Sequence, residues 1–199
     1  EDLCLEAMRL NYLLIENERT SLPPVKALFS LMCFHASRFQ ARKNNQGGLV
    51  LYPDQDETLW NHELISKGAY FLHEASRGNK LSKYHVEASI AYWHTVKADT
   101  KEKWENILQL YDTLLQLEYS PLAALNRIYA VSRVFGKQEA IREAEKLNLT
   151  DNHYYLTLLG ELYKDLDNVK ALENFQEALA RAKTRTDQQT IQQKITDVD

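Results

Sequence analysis

The chain has 199 residues and a formal net charge of −4, and 44% of its residues are hydrophobic while 26% are charged. This composition is ordinary for a globular protein that buries a core of its own. The negative balance argues against a nucleic-acid interface spread over the whole surface, because such surfaces are basic.

Cysteine usage and hydropathy point to the cytoplasm. Cys4 and Cys33 lie in apolar helical patterns, which favours buried, reduced thiols over a disulfide framework. No apolar run approaches the ~20 residues of a membrane helix, and no signal peptide is visible. Since the sequence starts at Glu1 inside a helical pattern, we interpret the chain as a piece of a longer cytoplasmic protein.

The first third of the chain predicts three helices and one extended segment. The first helix ends near Asn17, and Ser21 is the expected N-cap of the second, with prolines in its first turn. The third is expected from about Asp56 to Ser76, with Asp54 as its N-cap. Residues 47–53 between them combine two glycines, four β-formers and a proline, which predicts an extended path.

The rest of the chain predicts further helices, each with a start signal. The expected N-terminal signals are Ser82, Asp99-Thr100, Ser120-Pro121, Thr150-Asp151, Asp167 and Thr186 with Gln189, and Gly136 separates two helices. One helix pair resembles a tetratricopeptide repeat through Leu156, Leu159, Gly160, Tyr163, Ala171, Phe175 and Ala178.

These elements predict the fold class. We expect an all-α, tetratricopeptide-like array of about nine to ten helices with one short extended segment at residues 47–53. Residues 1–199 are expected to form a single helical domain. Within it, residues 1–80 are expected to form an irregular three-helix region, and residues 81–199 a series of helix pairs.

Motifs for chemistry are incomplete. His62-Glu63 and His73-Glu74 lack the second histidine of a zinc-protease helix. A calcium loop beginning at Asp54 would need glycine where Leu59 stands. We therefore predict a protein that is not an enzyme and needs no cofactor or metal. An alternative is a metal-dependent or small-molecule enzyme, in which a site forms from residues His35, His94, Asp54 and Asp56.

Several short motifs together resemble a known family. They are Leu3-Cys4-x-Glu6-Ala7, His35-Ala36-x-Arg38, Gly48-Leu-Val-Leu, Asp54-Gln55-Asp56-x-x-x-Trp60, His94, and Ser120-Pro121-x-x-Ala-Leu-Asn126-Arg127. In these residues the chain resembles the C-terminal tetratricopeptide-like extension of bacterial extracytoplasmic-function (ECF) sigma factors of RNA polymerase. It departs from the family at residues 44–46, Asn-Asn-Gln, where the family often has an acidic residue.

The resemblance implies a role in transcription initiation. The expected function is a regulatory or supporting domain that contacts the sigma core regions of the same polypeptide and RNA polymerase. DNA would be bound only by upstream regions that this sequence lacks, and no membrane is involved. The alternative is a free-standing helical-repeat adaptor for a peptide or protein partner. The expected structural or interaction residues are His35, Arg38, Asp54, Gln55, Asp56, Trp60, His94, Asn126 and Arg127.

Two of these expectations concern particular contacts. Arg38 is predicted to form an ion pair with Asp54 or Asp56 and so to fasten the extended segment to the second helix. Asn126 and Arg127 either bind an extended partner chain or only tie neighbouring helices together.

Overall fold

The computed structural model describes residues 2–42, 50 and 52–198, and within them the regular structure is entirely helical. The predicted all-α class is confirmed, with ten α-helices in the described stretches of the chain. The chain divides into two compact units, Glu1–Asp99 with Gln116–Glu118, and Thr100–Leu115 with Tyr119–Asp199.

The first unit is built around its second helix. Its helices are α1 (Asp2–Glu16), α2 (Pro23–Ala36), α3 (His62–Ala75) and α4 (Lys83–Trp93). Helix α2 packs against all three others, and α3 also contacts α4. The sequence grouped α4 with the later helix pairs, whereas its packing on α2 places it in the first unit.

Aromatic and small side chains fill the core of this unit. Phe29 of α2 and Phe71 of α3 meet edge to face, with ring centroids 4.9 Å apart. Cys33 lies beside them and is fully buried, and burial raises the pKa of its thiol to about 12. This thiol is therefore a packing group that stays protonated at neutral pH.

Close contact between α2 and α3 depends on a glycine. The ring of Phe34 lies against Gly68, and a Cβ at Gly68 would stand 2.7 Å from Cε1 of that ring. Beside this contact the Ser30 hydroxyl donates a 2.7 Å hydrogen bond to the Gly68 carbonyl. The absence of a side chain at Gly68 thus sets how closely the two helices approach.

Two of the predicted helix starts in this unit are wrong. Leu22, not Ser21, is the N-cap of α2 and gives no side-chain cap, because the two prolines already fit the first turn. The third helix starts at His62 rather than near Asp56, and Asn61 caps it through the Leu64 N–H.

The stretch before α3 forms short 3-10 turns. The turns are Gln40–Arg42, Tyr52–Asp54 and Glu57–Leu59. Asp54 belongs to a turn and is not the predicted N-cap, whereas Asp56 caps the next turn by accepting from the Thr58 N–H. Of the extended segment predicted at 47–53, residues 47–49 and 51 lie outside the described residues, as does the 44–46 loop. The backbone of residues 52 and 53 is 3-10 helical instead of extended.

The second unit contains the six later helices. Its helices are α5 (Lys101–Leu117), α6 (Pro121–Phe135), α7 (Lys137–Leu147), α8 (His153–Tyr163), α9 (Asn168–Arg181) and α10 (Arg185–Thr196). Consecutive helices from α6 to α10 pack against each other. Gly136, with φ of 92°, allows the sharp change of direction between α6 and α7.

Helices α8 and α9, which carry the predicted repeat motif, pack closely against each other. A Cβ at Gly160 would lie 2.5 Å from Cε1 of Phe175, which is completely buried. Two caps differ from prediction: Asn152 starts α8 instead of Thr150-Asp151, and Thr184 starts α10 instead of Thr186. Side chains of this type compete for the same role, and the one adjacent to the first helical N–H groups takes it.

No helix among the described residues is long and apolar enough to cross a membrane.

Candidate functional site

Most of the residues predicted for a site come together in the first unit. Hydrogen bonds join the residues after α2, residues 50 and 52–61, and the segment that follows α4. The Val50 N–H donates to the Arg42 carbonyl, and the Asn61 N–H donates to the Ser37 carbonyl. The Tyr52 hydroxyl donates to the Val96 carbonyl. We call the side chains that meet here, Arg38, Tyr52, Gln55, Trp60 and His94, the Arg38 cluster.

Arg38 lies at the centre of the cluster and is only 8% exposed. Its Nη1 donates a 3.2 Å hydrogen bond to the His94 carbonyl. Its Cζ lies 5.2 Å from the ring centroid of Tyr52 and 6.0 Å from that of Trp60, distances at which an aromatic face attracts a cation. Burial, and then the charge of Arg42, lower the pKa of Arg38 to about 10, so the guanidinium remains charged at neutral pH.

The predicted ion pair of Arg38 with Asp54 or Asp56 is wrong. Among the residues that the structure describes, Arg38 forms no ion pair, and both carboxylates are exposed. The Asp56 carboxylate instead accepts from the backbone N–H and hydroxyl of Thr58, which lowers the pKa of Asp56. Arg38 obtains its stabilisation from a carbonyl and two aromatic faces.

Lys97 connects residues 52–55 to the segment that follows α4. Its Nζ donates a 2.8 Å hydrogen bond to the Gln55 carbonyl and lies 5.7 Å from the ring centroid of Tyr52. The Tyr52 ring also meets His94 edge to face, with centroids 5.2 Å apart. The sequence did not predict Lys97 or Tyr52 as site residues, because no local sequence pattern links residue 97 to residues 52–55.

Three buried polar atoms of the cluster have no hydrogen-bond partner among the described residues: Arg38 Nε, Gln55 Oε1 and Trp60 Nε1. The other end of the Gln55 amide, Nε2, donates to the Val50 carbonyl. Buried donors and acceptors are almost always paired in folded proteins, and an unpaired one costs about 1–3 kcal/mol. The three unpaired atoms make this cluster the candidate binding site of the first unit.

His35 lies beside the cluster at the end of α2. Its Nδ1 is 3.3 Å from Arg42 Nη2. Removal from water, followed by the positive charges of Arg42 and Arg38, lowers the pKa of His35 to about 4. The side chain itself retains exposure to solvent, which screens part of this effect.

The low pKa of His35 predicts acid sensitivity. Because the folded-state value lies below the ~6.5 of an unfolded chain, the folded state binds fewer protons between these values. The free energy of unfolding is therefore unaffected above this window and decreases as the pH falls through it. We expect NMR titration of His35 to give a midpoint below ~6.5, and the variant His35→Gln to lose less stability on acidification than the wild type. The exposed His62 of α3 provides the matched control His62→Gln, and a His35 midpoint at or above ~6.5 would contradict the prediction.

The alternative metal site does not form. Within residues 2–42, 50 and 52–198, no three His, Cys, Asp or Glu side chains group as metal ligands. The ring of His94 packs on Tyr52 while Asp54 and Asp56 face solvent, so the four residues proposed for that alternative are not one ligand set.

Asn126 and Arg127 lie in the second unit. The Arg127 Nε donates a 2.5 Å hydrogen bond to Asp112 of α5, and its Nη1 pairs with Glu143 of α7. Arg127 thus connects α6 to α5 and α7. This agrees with the interpretation that the residue ties neighbouring helices together. Asn126 is exposed on α6.

Fold and site together define an all-α protein in which a helix-packed first unit carries a buried cationic and aromatic cluster. Residues 1–76 match the model of a protein family of unknown function, DUF6596. All residues of the Arg38 cluster except His94 lie within the matched residues 1–76.

A curated relative covers more of the chain. The chain is 36% identical over 186 residues to an uncharacterized protein of Rhizobium meliloti (strain 1021). The match takes in 91% of this chain and 44% of that protein, so the chain spans less than half the length of the curated relative it matches. No solved structure matches the chain.

Proposed function

We propose that the chain is the C-terminal regulatory domain of an ECF-type sigma factor, which modulates transcription initiation through protein–protein contacts in the cytoplasm. The observation that carries the proposal is that five residues from the motifs behind the sequence resemblance come together in the first unit. His35, Arg38, Gln55, Trp60 and His94 are separated by up to fifty-nine positions in the sequence. They nevertheless lie around one buried cluster.

The arrangement suits contact with another protein more than catalysis. The cluster contains a guanidinium, aromatic faces and unpaired hydrogen-bonding atoms, and arginine, tyrosine and tryptophan are the residue types that most often dominate binding energy at interfaces. The exposed Asp54 adjoins it without a hydrogen bond or ion pair of its own among the described residues. We propose that Asp54 contacts the sigma core of the same polypeptide or RNA polymerase.

Run-off transcription tests this proposal. The full-length factor is compared with a factor truncated before Glu1 and with the variant Asp54→Ala. Loss of a hydrogen bond to a charged group costs about 1.5–3 kcal/mol, so we expect transcription to fall about tenfold or more in both. Asp54 is exposed, so the variant should keep the wild-type stability to within about 0.5 kcal/mol.

Glu63→Ala is the matched control, because Glu63 is an exposed carboxylate of α3 in the same unit. It should transcribe as the wild type does. Equal transcription from the wild type, the truncated factor and Asp54→Ala would remove the domain from initiation. The chain would then be better described as a free-standing adaptor that binds a peptide or protein.

A further inference from the structure

The guanidinium of Arg38 is buried without a counter-ion. Arg42 is close enough for its positive charge to act on Arg38, and no carboxylate of the described residues pairs with Arg38. Residues 43–49 and 51 contain no Asp or Glu. A buried charge is expensive unless it is paired, and aromatic faces offset only some of that cost.

One edge of this guanidinium is unpaired. Nη1 donates to the His94 carbonyl, Nε is buried without a hydrogen-bond partner, and Nη2 makes no hydrogen bond to the described residues. Nε and Nη2 are the two parallel donors with which arginine binds a carboxylate through both oxygens. A third free donor, the Trp60 Nε1–H, belongs to the ring whose centroid lies 6.0 Å from the Arg38 Cζ.

A carboxylate matches this set of donors. It is planar, which suits a position beside the rings of Tyr52 and Trp60, and its single negative charge balances the single guanidinium. A phosphate group would bring more oxygens than these three donors satisfy. The third unpaired atom, Gln55 Oε1, is an acceptor and suits an N–H group or a water that accompanies the carboxylate.

We propose that the Arg38 cluster is a binding site for a carboxylate, which pairs with the Nε and Nη2 of Arg38 and accepts a hydrogen bond from Trp60 Nε1. The carboxylate belongs either to a small free acid or to an Asp or Glu side chain of a polypeptide. The site follows from the chemistry of the cluster and does not depend on a role in transcription.

NMR of the isotope-labelled chain tests the site directly, because the Trp60 indole N–H and the Arg38 Nε–H are both reporters. Acetate is titrated against chloride at equal ionic strength, and Trp60→Phe identifies the Trp60 signal. We expect acetate, and not chloride, to shift both signals downfield in a saturable manner. Equal shifts with both salts, or no saturation, would overturn the proposal.

Two variants separate binding from folding. Arg38→Lys keeps the charge but removes the two-donor edge, and it should weaken acetate binding at least tenfold. Trp60→Phe keeps an aromatic ring but removes the indole N–H donor, and it should weaken acetate binding a few-fold, as measured from the Arg38 Nε–H signal. If both variants bind acetate as the wild type does, the assignment is wrong.

A second titration distinguishes the sources of the carboxylate. The probe is a short N-acetylated, C-terminally amidated peptide whose only charge is one Glu. Half-saturation at a concentration at least tenfold below that of acetate indicates a polypeptide carboxylate, since the backbone N–H groups then have Gln55 Oε1 as a partner. Equal half-saturation indicates a small free acid, and absence of binding by both probes contradicts the proposal.

Discussion

Replacing Phe175 with alanine is expected to lower the free energy of unfolding of the second unit by about 3–5 kcal/mol. Phe175 is completely buried between α8 and α9, and its ring fills the space left by Gly160. The substitution removes this apolar surface and leaves a cavity that the two helices cannot close without moving together. Urea denaturation followed by circular dichroism measures the loss.

Phe135→Ala provides the control in the same unit, because Phe135 is 64% exposed at the end of α6. It should change the free energy of unfolding by less than about 0.5 kcal/mol. A Phe175→Ala variant as stable as Phe135→Ala would show that the ring does not fill the space between α8 and α9.

Replacing Gly68 with valine is expected to destabilise the first unit by about 3 kcal/mol through overpacking. Even a Cβ at Gly68 would lie 2.7 Å from the Phe34 ring, and valine adds two methyl groups at the same place. Phe34 is 1% exposed, and the close packing of protein interiors leaves a buried ring little room to move. The change should also lengthen the Ser30 to Gly68 hydrogen bond, which ties α2 to α3.

Ser66→Val is the matched control, since Ser66 is exposed on the same helix. It introduces the same side chain without the clash and should have little effect. In a Phe34→Ala background, Gly68→Val should cost less than in the wild type, because the ring that it strikes is gone. Additive costs in this double-mutant cycle would mean that the two residues are not in contact.

The sequence by itself determined the all-α class and most helix positions. Apolar residues at helical spacing, Ser120 with Pro121, and Gly136 are local signals, and a helix is a local structure whose limits such signals set. The small residues Gly160 and Ala171 and the aromatic Phe175 also revealed a close helix pair, since only small residues permit that approach.

Nearby polar residues could not be ranked as caps from the sequence. Ser21, Thr150 and Thr186 all have suitable side chains, yet Leu22, Asn152 and Thr184 hold the cap positions. Which residue becomes the N-cap depends on the backbone geometry just before the first helical turn, and the tertiary structure sets that geometry.

The partners of Arg38 were decided only by the tertiary structure. Sequence proximity to Asp54 and Asp56 suggested an ion pair, but the fold places the guanidinium against Tyr52, Trp60 and the His94 carbonyl. It also brings Lys97 from beyond α4 to the Gln55 carbonyl. These contacts join segments as many as fifty-six residues apart, and no local pattern encodes which of several polar groups will be buried together. The sequence thus determined which residues are available to the site, and the packing of α4 against α2 determined which of them meet.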